Sequence, residues 1–309
     1  MTTRNPLRHR SELRRAWERL AAVRTSTVTT PVGPIEYVDQ GSGYPLLLLH
    51  GIFGGHDAAL RLTQPQVLAG CRVIAPSRFG YLGTPMPARP SVALQADAHA
   101  ALLGALGVDQ ALVFAASAGV TSALQMAIQY PSRVIGLVLQ SSNVPGPHHD
   151  RQLLPRGIAT RVWRSNLLMW LIRTYLSGVI AHSMMGVPKQ LPLSDADRAR
   201  LDEELDSIFP VDRRIDGVLF DAYIGNPAIN YLPLEAVTAP TLVVHFRDDR
   251  GPPYASAVAM AQRIGHAQIL TGEHGGHLGL GEHPEIPASI AAFLRQVTAD
   301  HQDDLGGVQ

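Results

Sequence analysis

The chain has 309 residues, of which 46% are hydrophobic and 17% are charged, and this composition is sufficient for a large buried core. Its 26 basic and 26 acidic residues balance, so no excess of positive charge favours nucleic acid as a partner. The single cysteine, Cys71, excludes an internal disulfide, and the sequence lacks an apolar run of about 18 residues that would span a membrane.

The first predicted element is a helix near residues 11–22, with Ser11 as its N-cap. Its apolar stripe consists of Leu13, Trp17, Leu20 and Ala21. This stripe favours a helix packed on the body of the protein over a helix lying on a membrane surface. The basic N-terminus lacks the apolar segment of a signal peptide, so we expect a cytoplasmic protein.

After this helix the pattern alternates between strands and helices. An antiparallel pair near 25–30 and 35–39 precedes strands at 46–49, 73–76, 111–116, 134–140, 241–246 and 268–270. Helices are predicted near 91–106, 119–130, 254–264 and 284–297. Such alternation is typical of an α/β protein with a doubly wound, mostly parallel sheet.

One connection is far longer than an ordinary crossover. Residues 144–236 separate two predicted strands, and they contain apolar helical segments but no further strand of the sheet. We therefore predict a discontinuous core, residues 1–143 and 237–309, interrupted by an insertion over residues 144–236. Within the insertion, Arg213, Arg214 and Asp221 are expected to form a salt bridge, with binding of a substrate carboxylate as the alternative.

The most informative motif joins the strand at 111–116 to the helix at 119–130. Ser117 stands at this junction, and the residues two before and two after it, Ala115 and Gly119, are small. A tight strand-to-helix turn brings neighbouring backbone close, so it requires small residues there. The amide-rich start of the helix then faces the serine hydroxyl. The pattern is typical of a nucleophile elbow.

Other polar motifs follow the ends of the remaining strands. They are His50-Gly51 after strand 46–49, Ser77-Arg78-Phe79-Gly80-Tyr81-Leu82-Gly83 after strand 73–76, Arg247-Asp248-Asp249 after strand 241–246, and a loop with His274 and His277 after strand 268–270. Strand 134–140 ends in Ser141-Ser142-Asn143, which contains no carboxylate, so no candidate acid follows this strand. Because parallel strands end at one edge of a sheet, these side chains are expected to lie close together.

In this order the motifs resemble those of the α/β-hydrolase superfamily, from about Arg24 to about Val297. The segment after strand 73–76 resembles the family's Pro-Asp-x-x-Gly-x-Gly-x-Ser string, with Ser77 in place of the Asp and Leu82 between Tyr81 and Gly83. The resemblance implies the α/β-hydrolase fold, with the insertion as a helical cap over the active site. It also implies a catalytic triad of Ser117, His277 and Asp249.

Two assignments within this triad rest on spacing. The family acid lies four residues beyond the His of a His-Gly-x-x-Asp string, which selects Asp249 over Asp248, although Phe246 replaces the Gly. The family His precedes a Pro-Glu by seven residues, and Pro284-Glu285 has that spacing from His277 and not from His274. By position, the oxyanion-hole amides belong to Ile52 and Ala118.

The resemblance implies a hydrolase that cleaves a carboxylic ester or related acyl bond of a small, moderately apolar substrate through an acyl-enzyme. No metal or organic cofactor is required. Ser117 stands where epoxide hydrolases and dehalogenases have Asp, so those chemistries are disfavoured. Hydrolysis of carbon–carbon bonds in vinylogous diketones is the alternative, and lactonase, thioesterase, perhydrolase and acyltransferase activities are also compatible. A non-catalytic member of the fold that binds a small ligand is a further alternative.

Overall fold

The computed structural model describes residues 6–150, 154–183 and 185–306. Residues 1–5 and 307–309 of the predicted core, and residues 151–153 and 184 of the predicted insertion, lie outside the described residues. In the described part of the chain, no helix is both long and apolar enough to cross a membrane.

The sheet has eight strands in the spatial order β1-β2-β4-β3-β5-β6-β7-β8. In chain order they are β1 (Ser26–Thr30), β2 (Gly33–Gly41), β3 (Tyr44–Leu49), β4 (Cys71–Pro76), β5 (Ala111–Ala116), β6 (Val134–Gln140), β7 (Thr241–Phe246) and β8 (Ala267–Gly272). β2 runs antiparallel to both β1 and β4, and all other neighbours are parallel. The predicted α/β-hydrolase fold with a mostly parallel sheet is confirmed.

The helices are α1 (Pro6–Ala21), α2 (His56–Ala59), α3 (Pro65–Leu68), α4 (Val92–Ala105), α5 (Gly119–Gln129), α6 (Arg156–Arg164), α7 (Asn166–Tyr175), α8 (Ser177–Ser183), α9 (Asp195–Ser207), α10 (Ile215–Phe220), α11 (Asn226–Ala228), α12 (Tyr254–Arg263) and α13 (Glu285–Gly306). A π-helical turn, Asp221–Gly225, joins α10 to α11. Helices α6 to α11 all lie in the chain between β6 and β7, within the predicted insertion.

The central strands are apolar throughout because helices cover both faces of the sheet. All six residues of β5 are buried, as are all six of β7. Along β5, Val113 packs in the layer formed with α4, α5 and α12, whereas its neighbour Phe114 packs in the layer formed with α13. A parallel sheet buried on both faces reads as a continuous hydrophobic run, which is why these strands were recognisable.

Helix α1 differs from its prediction in both its start and its buried face. It begins at Pro6, and Ser11 lies inside it with its hydroxyl donating a hydrogen bond to the carbonyl of Arg8. Trp17 of the predicted stripe is 44% exposed, whereas Ala16 is buried in a cluster with Trp170 of α7. The predicted stripe is wrong at Trp17 and Ala21, which are exposed, because α1 packs on the insertion through Ala16 and through polar and ring contacts, such as that between the His9 and Trp170 rings.

The insertion is joined to the core by two buried ion pairs. Arg214 contacts Asp57 of α2 at 2.8 Å, and Arg78 in the loop after β4 contacts Asp221 at 2.5 Å. The expected salt bridge among Arg213, Arg214 and Asp221 is therefore wrong. Both buried ionic groups of the insertion find their partners in the core, because pairing across this boundary compensates charges that both sides bury.

Candidate active site

Ser117 occupies a strained turn at the end of β5. Its φ is +50°, in the left-handed region that side chains other than glycine seldom adopt. The turn depends on small neighbours: a Cβ added to Gly119 would lie 2.6 Å from the carbonyl oxygens of Leu49 and His50. A Cβ on Gly51 would lie 3.1 Å from the Cβ of Ser117. These close approaches explain why small residues surround the serine.

The structure brings Ser117, His277 and Asp249 into one hydrogen-bonded row. The Ser117 hydroxyl lies 2.9 Å from Nε2 of His277, and Nδ1 of His277 lies 2.8 Å from Oδ2 of Asp249. Because the Asp249 carboxylate only accepts hydrogen bonds, the proton of the neutral imidazole lies on Nδ1. Nε2 is then free to accept the hydrogen bond of the serine.

Burial and charge act in opposite directions on His277. Desolvation lowers its pKa, but the negative charge of Asp249 and the hydrogen bond to it raise the pKa, and the net effect is a pKa above the usual value. Asp249 also accepts a hydrogen bond from the amide of Gly251 at 2.7 Å. The carboxylate is thus held from two sides, which fixes the orientation of the imidazole.

Asp248 and His274, which the motif spacing disfavours as triad members, lie in the same loops but do not contact Ser117. The carboxylate of Asp248 accepts hydrogen bonds from the amides of Gly275 and Gly276, at 3.2 and 2.9 Å. The side chain of His274 is 77% exposed and lies 3.8 Å from Asp248. Asp248 therefore organises the backbone of the loop before His277, while Asp249 contacts the imidazole itself.

The two amides predicted to form the oxyanion hole belong to Ile52 and Ala118. Ile52 comes after His50-Gly51 at the end of β3, and Ala118 precedes the first residue of α5. Within the described ranges, neither the amide of Ile52 nor that of Ala118 donates a hydrogen bond to another protein group. These two amides are therefore the candidate donors to an oxyanion.

A cavity of about 150 Å³ opens beside Ser117 and His277. Its apolar lining includes Ile52, Phe53, Leu62, Met185, Ile208 and Leu278, and Arg61, Arg200 and Glu204 also contribute to its wall. Met185, Arg200, Glu204 and Ile208 belong to the insertion, so that segment forms part of the wall. A larger cleft of about 800 Å³ lies beside Asp248, but neither Ser117 nor His277 lines it.

Two contacts near this site were not predicted from the sequence, which placed Asp221 in a salt bridge within the insertion and gave no role to Arg78 or Gly186. Gly186 of the insertion has a φ of +60°, and a Cβ there would lie 2.7 Å from the Cβ of His277. Arg78 and Asp221 form the buried ion pair that lies against His50-Gly51. The available signal was a charged residue inside an apolar stretch, such as Asp221 after Val218-Leu219-Phe220, because such residues are buried only with a partner.

Among the described residues, no group of three or more His, Cys, Asp or Glu side chains is placed to hold a metal ion. What the arrangement does offer is a serine hydroxyl hydrogen-bonded to an imidazole, which a buried carboxylate orients. Such a row lets the imidazole remove the hydroxyl proton as the oxygen attacks an electrophilic carbon.

Residues 44–284 match the alpha/beta hydrolase fold family, and the chain belongs to that family. It is 31% identical over 272 residues to a 2-hydroxymuconate semialdehyde hydrolase from Pseudomonas sp. (strain CF600), an alignment that covers 84% of this chain and 90% of the relative. An alpha/beta hydrolase fold protein from Nakamurella multipartita superposes with a TM-score of 0.69 at 25% identity, covering 88% of this chain and 99% of that one. A thermophilic esterase from Thermogutta terrifontis superposes with a TM-score of 0.64 at 25% identity, covering 89% and 99%. The fold and these relatives support a hydrolase.

Proposed function

We propose that the protein is a serine hydrolase that cleaves an acyl bond of a small, moderately apolar substrate, with Ser117 as nucleophile, His277 as general base and Asp249 as the orienting acid. The observation that carries the proposal is the continuous hydrogen-bonded row from the Ser117 hydroxyl to the Asp249 carboxylate beside a cavity. An isolated serine is a weak nucleophile near neutral pH, and an adjacent base is what activates it.

In the proposed first step, His277 takes the hydroxyl proton while Ser117 Oγ attacks the carbonyl carbon. The carbonyl oxygen becomes an oxyanion, which the amides of Ile52 and Ala118 stabilise. The tetrahedral intermediate collapses, the protonated His277 gives its proton to the leaving group, and an acyl-enzyme forms. Water, deprotonated by His277, then attacks this ester, and the acid departs as Ser117 regains its proton.

A carboxylic ester is the first candidate substrate. Ester cleavage needs no group beyond the base, the orienting acid and two oxyanion donors. The cavity volume of about 150 Å³ is below the range of about 300–1,000 Å³ usual for drug-sized ligands, which favours a short acyl group. Its apolar lining favours an uncharged alkyl or aryl chain next to the carbonyl.

Hydrolysis of a carbon–carbon bond in a vinylogous diketone is the second candidate. The relative that supports it is the 2-hydroxymuconate semialdehyde hydrolase, which aligns over 90% of its length. The same nucleophile and base would serve, since Ser117 attacks a ketone carbonyl and the protonated His277 supplies a proton to the departing carbon. The two candidates differ only in the leaving group, so a substrate panel separates them.

The panel consists of p-nitrophenyl esters from acetate to decanoate and a 2-hydroxy-6-oxo-dienoate, which loses its conjugated absorbance on cleavage. We expect turnover of at least one member, with a preference for short chains among the esters, and loss of that turnover in Ser117→Ala. Tight binding of a ligand without turnover would instead identify a non-catalytic member of the fold.

Covalent labelling tests the roles of the residues independently of the substrate. A small organophosphonate should modify Ser117 once per chain, as determined by intact mass and peptide mapping. His277→Ala should abolish labelling, whereas the matched variant His274→Ala should leave it largely unchanged. Labelling that persists in His277→Ala, or that maps to another serine, contradicts the proposed triad.

A further inference from the structure

The loop after β4 places a fully buried arginine against the proposed oxyanion turn. Arg78 is 2% exposed, and its guanidinium contacts two successive carbonyl oxygens of that turn. Nε donates to the carbonyl of His50 at 2.9 Å, and Nη2 donates to the carbonyl of Gly51 at 3.3 Å. A guanidinium with several donors in one plane is suited to holding adjacent backbone groups in a fixed orientation.

The ring of His50 also donates a hydrogen bond to the carbonyl of Gly51. The backbone N–H of Arg78 lies 3.0 Å from Nε2 of His50, and because an amide only donates, Nε2 is the accepting nitrogen. The ring proton is therefore on Nδ1, which lies 2.8 Å from the carbonyl oxygen of Gly51. The Gly51 carbonyl thus accepts from both His50 and Arg78, in addition to the backbone amide of Gly54 at 3.3 Å.

This carbonyl shares one peptide unit with the amide of Ile52. The C=O of Gly51 and the N–H of Ile52 are conjugated and coplanar, so a group that fixes the oxygen also fixes the direction of the N–H. Hydrogen bonds accepted by the oxygen draw electron density from the nitrogen and make its N–H a stronger donor. The side-chain donors of His50 and Arg78 therefore add to the Gly54 amide in aiming and strengthening the N–H of Ile52.

Arg78 is itself anchored by the insertion. Asp221 accepts hydrogen bonds from Nη1 and Nη2 of Arg78, at 2.7 and 2.5 Å, and from the hydroxyl of Tyr81 at 2.5 Å. Asp221 is 1% exposed and begins the π-helical turn Asp221–Gly225, a local irregularity that is frequent at functional sites. The carboxylate thus pairs with Nη1 and Nη2 of the guanidinium, while Nε and Nη2 contact the carbonyls of His50 and Gly51.

We propose that Arg78 is a positioning residue for the oxyanion hole: held by Asp221, it orients and polarises the Gly51–Ile52 peptide, so that the seating of the insertion and the strength of the Ile52 donor are coupled. The inference rests on the proposed function, because the Ile52 amide acts on substrate only if Ser117 is the nucleophile. Arg78 itself acts through the backbone and contacts no reacting atom.

The kinetic test compares Arg78→Lys with Arg263→Lys. Arg263 of the core is the control, because it too donates to a carboxylate of the insertion with two nitrogens, to Glu235 at 2.7 and 3.1 Å, and its side-chain hydrogen bonds in the described structure lie away from residues 50–54. Loss of a whole oxyanion donor lowers kcat by about 10²–10³-fold, so misdirecting one donor in Arg78→Lys should lower kcat by at least about tenfold with little change in KM. Arg263→Lys should change kcat much less, because it loosens the same boundary without touching the turn at residues 50–54. Equal losses of kcat in the two variants would overturn the proposal.

A second measurement does not depend on activity. In protein labelled with [15N]isoleucine, the amide signal of Ile52, assigned through Ile52→Val, should move in Arg78→Lys and remain in place in Arg263→Lys. If the wild-type enzyme neither turns over the panel nor reacts with a phosphonate, the proposed function fails while the Ile52 signal still tests the polarisation. If Arg78→Lys does not fold, Asp221→Asn should move the same signal. An Ile52 signal unchanged in the folded variant overturns the inference.

Discussion

Two adjacent carboxylates, Asp248 and Asp249, make different contacts in the proposed active site. Both follow β7, and both accept hydrogen bonds from backbone amides. Only Asp249 contacts the imidazole of His277, and its side chain is fully buried, whereas that of Asp248 is 21% exposed. The family spacing predicts Asp249 as the acid, although Phe246 replaces the usual glycine. In the structure it is the Asp249 carboxylate that lies 2.8 Å from Nδ1 of His277.

Asp249→Asn and Asp248→Asn should therefore differ strongly in activity. Asp249→Asn removes the charge that orients and stabilises the imidazolium, and a loss of about 10⁴-fold in kcat is expected with the fold intact. Asp248→Asn should leave most activity and lower stability on the order of 1 kcal/mol, because the amides of Gly275 and Gly276 lose a charged acceptor. Steady-state kinetics and thermal unfolding of both variants measure this, and a larger kcat loss in Asp248→Asn contradicts the assignment.

The pH dependence of activity should report the same contact. His277 acts as a base only when neutral, so kcat/KM should rise with pH through the pKa of His277. Burial lowers that pKa, but Asp249 raises it above the usual value near 6.5, so the acid limb should have its midpoint above that value. In Asp249→Asn the midpoint should move to lower pH, and in the control His274→Gln it should not move. A midpoint unchanged in Asp249→Asn would show that another group titrates.

At the scale of elements, the sequence predicted the strands more accurately than the terminal helices. Strands β5 and β6 begin and end at the predicted residues, because a strand buried on both faces is a short apolar run with clear limits. Helix α13 continues to Gly306, nine residues beyond the predicted end at 297, through a polar segment. Polar contacts support this last part, such as the hydrogen bonds of Gln296 to Asp300 at 2.6 Å and of His301 to Gln110 at 2.8 Å. A polar segment of this kind has no apolar periodicity from which a helix can be predicted.

The proposed catalytic residues were predictable because each lies at a strand end with a short local motif. The pair Arg78–Asp221 was not, because its members are 143 residues apart and belong to different segments. The contact of Gly186 with the His277 loop was missed for the same reason. Nothing in a local pattern states which loop a distant segment will touch, so tertiary contacts across the boundary of the insertion required the structure.

A substitution at Gly186 tests how closely the insertion packs against His277. Its φ of +60° disfavours any side chain, and a Cβ there would lie 2.7 Å from the Cβ of His277 and 2.8 Å from Oδ1 of Asp249. Gly186→Ala should displace His277 from Asp249 and lower kcat by up to about 100-fold, since a displacement near 1 Å has effects of that size. Gly178→Ala in α8 is the control, because no atom lies within 4 Å of the added Cβ, and it should retain full activity. Comparable kcat in both variants would contradict the tight contact.

At the scale of the whole molecule, the insertion is held by α1 as well as by the core. The indole Nε1 of Trp170 donates to Glu12 at 2.5 Å, and Arg19 donates to the carbonyl of Asp206 at 2.8 Å. Ala16 lies in the same buried cluster as Trp170 and Phe209. The sheet, in contrast, has its own core on both faces, formed mainly with α4, α5, α12 and α13. The insertion therefore depends on α1 for part of its packing, and the sheet does not.

Removal of residues 1–22 should accordingly loosen the insertion and leave the sheet intact. Without α1, Trp170 loses a hydrogen bond and part of its apolar cover, so amide exchange should accelerate in α7 and α9, while β5 and β6 remain protected. Because Met185 and Ile208 line the cavity beside Ser117, kcat/KM should fall as well. Hydrogen–deuterium exchange read by peptide mass measures both regions, and the double variant Arg14→Ala/Glu18→Ala, which removes only an exposed ion pair of α1, is the control. Faster exchange in β5 and β6 equal to that in α7 would show that α1 stabilises the whole fold and does not act mainly on the insertion.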